Sequence, residues 1–261
     1  MAGTVSKGSF AAKWVLPFGG LTLLIVIWEL TGVFEMFPDF ILPPPTTIWS
    51  RGVETSNVLI RNTLPTLTSV AVGFIGASSL GLLTALGLTM SSRLREAVYP
   101  IIIAMNSLPR IAAAPLFIFY MGGEQVAHMA IAIWVAYFPM VVNSVDGLSQ
   151  QDEDLNMLLE SVDATRWQEM KYITFPNALP HIFDGLKLVA TASVVGAIIG
   201  EFVAANQGLG FITLLALQSF DVPLVFSAVL IMAVVSVTLF FTIFIIQDKL
   251  IHWKSTSLIP E

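Results

Sequence analysis

A succession of long, largely apolar runs constrains this chain more than any other feature: Trp14–Phe34, Leu64–Met90, Ala97–Met121, Val126–Val145, Ile182–Ala205 and Pro223–Gln247. About 20 residues of α-helix cross a hydrocarbon layer some ~30 Å thick, and inside that layer every backbone amide needs an internal partner. The runs therefore predict an all-α integral membrane protein with about six transmembrane helices. Composition supports the same class, since 56% hydrophobic and 11% charged residues are too apolar a mixture for an ordinary water-soluble domain. Six spans and their connections use most of the length, so residues 1–261 read as one transmembrane domain. The chain has no cysteine, which excludes disulfides and thiolate chemistry, and its net charge of −6 offers no basic footprint for nucleic acid.

The first run is longer than the apolar core of a signal peptide and no small-residue cleavage site closes it, so a spanning anchor is the better reading. A proline-punctuated stretch from Phe37 to Asn62 follows and reads as an external loop. With the N-terminus in the cytoplasm, the inside segments collect Lys7, Lys13, Arg93, Arg95, Arg166, Lys171, Lys187, Lys249 and Lys254, against Arg51 and Arg61 outside. The positive-inside rule selects that orientation, with both termini cytoplasmic.

The long inside loop between spans four and five, about 144–181, is charged and helix-compatible. Leu155, Leu158, Leu159 and Val162 recur at helical spacing. Asp163 suits a left-handed turn, and Thr165 can cap a second short helix. The expected object is a cytoplasmic helix-turn-helix; read from the residues alone, it is equally well an interfacial amphipathic loop without a partner.

Motifs in this loop carry a resemblance. Asp163-Ala164-Thr165-Arg166-Trp167-Gln168, followed by Phe175-Pro176-Asn177-Ala178-Leu179-Pro180, resembles the EAA coupling segment of binding-protein-dependent ABC importer permeases. Ile41-Leu42-Pro43-Pro44-Pro45, Leu108-Pro109-Arg110-Ile111-Ala112-Ala113-Ala114-Pro115, Gly200-Glu201-Phe202 and Gly208-Leu209-Gly210-Phe211 resemble the branch that handles nitrate, sulfonates, taurine, bicarbonate and thiamine-precursor pyrimidines. The resemblance covers almost the whole chain. Two positions depart from its pattern: Met157 stands where the family has Glu, and Asp163 where it has the turn Gly. Glu160, one helical turn beyond Met157, is a candidate to replace the missing carboxylate.

The resemblance implies a non-catalytic permease subunit in a bacterial inner membrane, forming the pathway for a small polar or anionic solute. Its coupling residues would be Met157, Glu160, Asp163, Ala164, Thr165, Arg166, Trp167, Pro176, Leu179 and Pro180, docked against a separate ABC ATPase. The chain contains no G-x-x-x-x-G-K-[ST] phosphate loop. It would thus carry no cofactor itself, with ATP and Mg used by the partner subunit. A periplasmic or extracellular binding protein and a second copy of the chain complete the implied assembly. The alternative class is a six-span secondary transporter or channel, which would place several intramembrane acids or a broken-helix repeat along its path. A non-transporting scaffold would leave the coupling-like loop unexplained.

Ionisable residues inside the spans mark candidate pathway positions, because a charge there is costly. Arg110, between Pro109 and Pro115, could line a path for anions together with Asn106 and Ser107, or pair structurally with Glu201. Glu201 lies fourteen residues beyond Lys187, about 21 Å along a helix, where it could cap the turn before Gly208. Gly73, Ala77 and Gly81, and Ala192, Gly196 and Gly200, recur every four residues and predict close helix packing. His128, His181 and His252 show no metal-ligand spacing.

Overall fold

The computed structural model describes residues 10–150, 163 and 165–251, with side-chain surroundings from residue 19 onward, Arg166 excepted. All regular structure among them is helical: α1 (Phe10–Val33), α2 (Pro45–Glu54), α3 (Ser56–Met90), α4 (Ser92–Asn106), α5 (Arg110–Met121), α6 (Glu124–Ser149), α7 (Arg166–Glu169), α8 (Phe175–Val203), α9 (Leu209–Gln218) and α10 (Val222–Leu250). A single π-helical turn, Met170–Thr174, joins α7 to α8, so Trp167–Val203 is a continuous 37-residue rod. That rod, α3, α6 and α10 are each long and apolar enough to cross a membrane.

The core is α6, held between α3 and α8. Small residues set these contacts. A Cβ on Gly73 or Gly81 of α3 would run into Ala132 or Met140 of α6, and one on Gly196 would lie 2.7 Å from the Ala132 Cα. Near the other end of α6, Gly147 packs on His181 and the Ala178 carbonyl. Helix backbones approach this closely only where side chains are absent, which is the packing the four-residue glycine and alanine spacing predicted. Buried Ala77, Ala136, Val141, Val145, Ala178 and Val189 fill this seam. By contrast α10, the most apolar of the four long helices, turns most of its surface outward, as a lipid-facing helix does.

Two expected elements differ. The third apolar run, Ala97–Met121, is not one helix: α4 and α5 meet at a 101° bend. Pro109 has no amide hydrogen and disfavours helical backbone at Leu108, and its own backbone is extended at φ −62°, ψ 108°. The stretch read as an external loop contains α2, with Pro45 at its first position, where a missing amide costs nothing. Glu29 of α1 receives the Thr46 amide at 3.1 Å and the Thr46 hydroxyl at 2.7 Å, so an acid from one helix caps another.

Candidate functional site

Chemistry-bearing residues gather at three places: the α7 turn, the α4–α5 bend and the junction of α8 with α9.

At α7, Asp163 adopts φ +50°, the left-handed backbone expected of it. Thr165 and Gln168 then form a reciprocal capping box. The Gln168 carbonyl oxygen accepts from the Thr165 amide at 2.9 Å and from its hydroxyl at 2.8 Å, and Thr165 Oγ1 accepts the Gln168 amide at 3.4 Å. Trp167 is 70% exposed, and the Lys171 ammonium lies 5.2 Å from the ring centre of exposed Tyr172. Pro176 lies in the first turn of α8, Pro180 is buried, and Leu179 packs on Phe183, Ile243 and Ile251. Of the remaining coupling positions, Met157, Glu160 and Ala164 lie outside the described residues, and so does the Arg166 side chain. An open cleft of 460 Å³ adjoins the nearby end of α6, lined among others by Leu88, Thr89, Arg95, Glu96, Tyr99 and Leu148.

At the bend, Asn106 and Ser107 are exposed and Arg110 is partly so. Arg110 donates to the Asn106 side-chain oxygen at 3.0 Å. The ion pairs among the described residues are Arg51 with Glu54, Arg51 with Asp221 and Lys187 with Asp184. The Arg110–Glu201 pair considered from the sequence is therefore not formed.

Glu201 is instead 1% exposed, with both carboxylate oxygens engaged. Thr66 of α3 donates its hydroxyl to Oε1 at 2.7 Å, and the Gly210 amide donates to Oε2 at 2.7 Å. The amide of Leu209 reaches Thr66 Oγ1 at 2.9 Å, and that of Gly208 reaches Asn62 Oδ1 at 2.8 Å. Three consecutive amides that open α9 thus find acceptors on α3 and α8. Gly208 makes this possible: it sits at φ +114°, and a Cβ there would overlap the Glu201 carboxyl group. The cap falls not on the turn before Gly208, where the sequence reading puts it, but on the helix start after it, at the Gly210 amide. The acid's partner Thr66, and Asn62, which accepts the Gly208 amide, lie more than a hundred residues away in sequence and carry no local signal.

Further contacts fix the 204–208 connection to α6. His128 Nε2 donates to the Ala204 carbonyl at 2.7 Å, Asn206 donates to both Glu124 oxygens at 3.0 Å, and Gln207 donates to Gln125 at 3.4 Å. Gln125 in turn reaches Ser69 Oγ at 3.0 Å. At the far end of α9, Asp221 caps α10 through the Leu224 amide and receives two hydrogen bonds from Arg51, at 2.9 and 2.6 Å. That carboxylate raises the Arg51 pKa above its ordinary value.

Comparison with known proteins gives this arrangement its setting. The chain is 31% identical to the formylaminopyrimidine transport permease protein ThiX of Halalkalibacterium halodurans, over 89% of this chain and 93% of that protein. It is 30% identical to the riboflavin transport system permease protein RibX of Chloroflexus aurantiacus, over 90% and 89% respectively. Identity with the taurine transport system permease protein TauC of Escherichia coli is 21%, over 91% of this chain and 89% of TauC. Among solved structures, the inward-facing MetNI methionine ABC transporter contains a chain of the same fold, with a TM-score of 0.66 at 18% identity, covering 75% of this chain and 97% of that one. The family model for binding-protein-dependent transport system inner membrane components matches residues 77–254. On that match, and on the shared length with ThiX, this chain belongs to the family of binding-protein-dependent ABC transport permeases.

Proposed function

We propose that this chain forms half of a translocation pathway for a small polar or anionic solute, driven by a separate ATPase that docks on α7. As a family member it is a non-catalytic membrane component, which sets the secondary-transporter alternative aside. The observation that carries the proposal is the continuity of Trp167–Val203. An exposed tryptophan beside a capped turn is a fitting interface anchor. The 37-residue rod behind it, about 55 Å long at 1.5 Å per residue, links any movement of that anchor to the Glu201 junction.

Six spans follow if α1 is one and the bent α4–α5 pair another. Arg93, Arg95, Arg166, Lys171 and Lys249 belong to the end of the bundle that carries α7, whereas Arg51 and Arg61 belong to the end that carries Glu201. Positive-inside bias then puts α7 and both termini in the cytoplasm and the Glu201 junction outside, in a bacterial inner membrane. A second copy supplies the other half of the pathway, and an external binding protein delivers the solute. ATP and Mg belong to the partner ATPase.

Arg110 supports the anionic end of the solute range, since no carboxylate neutralises it among the described ion pairs and it stands at a helix break with Asn106 and Ser107. The relatives' names point to formylaminopyrimidine, riboflavin and taurine, all small polar solutes.

Co-purification of the tagged chain with its ATPase in lipid nanodiscs tests the docking surface. Wild type retains the ATPase; the double change of Arg166 and Trp167 to Ala loses it while the permease stays folded. A wild-type chain that binds no ATPase in any nucleotide condition would overturn the proposal.

A further inference from the structure

The junction of α8 with α9 concentrates more inter-helix polar bonding than any other part of the described membrane bundle. Asn62 and Thr66 reach it from α3, Glu201 from α8, and Glu124, Gln125 and His128 from α6. Elsewhere the same helices meet mainly through apolar side chains, with one hydrogen bond from the Tyr137 hydroxyl to Thr84 between α6 and α3. Separating α9 from α3 is a different matter. It would strip the Gly208 and Leu209 amides of their Asn62 and Thr66 acceptors, in a largely buried setting where each unpaired group is expensive. Behind the amides, Leu209 and Ile212 are packed with Leu59, Val70, Val194 and Ala228, so apolar burial opposes the same separation.

We propose that Glu201 is a positioning residue: with Thr66 and Asn62 it clamps the adjoining ends of α3, α8 and α9 into one unit that stays closed while the transporter changes state. The carboxylate serves as the N-terminal cap that α9 cannot supply for itself, because Gly208 at its cap position has no side chain. A negative group at that position also opposes the partial positive charge of the helix start. Conformational change is then carried by movement of this unit as a whole, or by elements outside it, and not by α9 lifting away from α3.

The natural absence of cysteine allows a clean test. Spin labels on Ile60→Cys and Leu217→Cys, both exposed positions on α3 and α9, report the clamp directly by pulsed dipolar spectroscopy. With the chain and its ATPase in nanodiscs, the label distance stays the same between the nucleotide-free state and the ATP–vanadate state. A shift of about 5 Å or more, the size of a one-turn displacement, overturns the proposal. Amide exchange on the chain alone needs no partner, so it remains decisive if the ATPase reading fails. Glu201→Gln, which keeps the shape but replaces one acceptor by a donor, speeds exchange across 204–214 by about tenfold, whereas Thr66→Ser, which keeps the hydroxyl, does not. Exchange in the Gln variant within about twofold of wild type would remove Glu201 from the role. The spin-label result stands even where that variant does not fold.

Discussion

Glu201 sits in a joint where four helices meet, 1% exposed and with both oxygens engaged, whereas Arg110 lies at a bend, partly exposed and hydrogen-bonded to its near neighbour Asn106. Both are ionisable residues inside apolar runs, yet their circumstances separate them. The acid is used up by the fold, because it accepts the Gly210 amide of the helix start beside it and the Thr66 hydroxyl. Glu29 is spent in the same way on the first turn of α2. The arginine stands at a helix break whose exposed polar groups, Asn106 and Ser107, are not sealed by packing. A charge within a span thus marks a functional pathway only when its partners do not already account for it.

The comparison is broken most severely at Gly208. Gly208→Ala places a methyl group against the Glu201 carboxyl group at a backbone angle that L-residues avoid. We expect a loss of about 3 kcal/mol or more, from the strained backbone together with the displaced cap, seen as a collapse of thermal stability in detergent or as failure to accumulate in the membrane. Near-normal stability would mean that the junction is loose and that its hydrogen bonds contribute little.

Thr66→Val tests the joint more gently. It keeps the volume, removes the hydroxyl that bridges Glu201 and the Leu209 amide, and leaves both without that partner. About 1–3 kcal/mol of destabilisation follows from unsatisfied buried groups, read by the midpoint of thermal unfolding. A change below about 0.5 kcal/mol, the scale of an ordinary surface substitution, would show that relaxed neighbours or water replace the hydroxyl and would erase the contrast with Arg110.

What could be read from the sequence follows the range of the interactions. Asp163, the Thr165 cap and the four-residue glycine and alanine spacing are local patterns, and each appears in the structure as a turn, a cap or a helix contact. The Glu201 cap was half legible: Gly208 seven residues on suggested a turn to be capped, but Thr66 and Asn62 come from a helix distant in sequence. The bend at Pro109 was harder still, since Pro65, Pro100, Pro115, Pro139 and Pro180 all sit inside helices without ending them. What distinguishes Pro109 in the structure is the non-helical backbone adopted there between two helices with few mutual contacts, and no single residue type announces that. Arg51 reaches Asp221 across 170 positions, equally beyond local reading.

Arg110→Gln is the smallest perturbation of stability and the sharpest test of the contrast. The substitution removes the charge and leaves Asn106 exposed, free to exchange its lost partner for water or the new amide. Stability should therefore move by no more than about 0.5 kcal/mol, in contrast to the losses at Gly208 and Thr66. Solute flux should respond differently from stability. In proteoliposomes carrying the ATPase and the binding protein, a panel of small anions and neutral polar solutes separates the cases: a pathway cation predicts loss for anions, little change for neutral solutes, and substantial recovery with Arg110→Lys. If Arg110→Gln instead unfolds the chain, the arginine is a structural residue like Glu201, and the anionic preference loses its support. If the protein stays folded and every solute is affected alike, the bend matters for movement and its charge does not select.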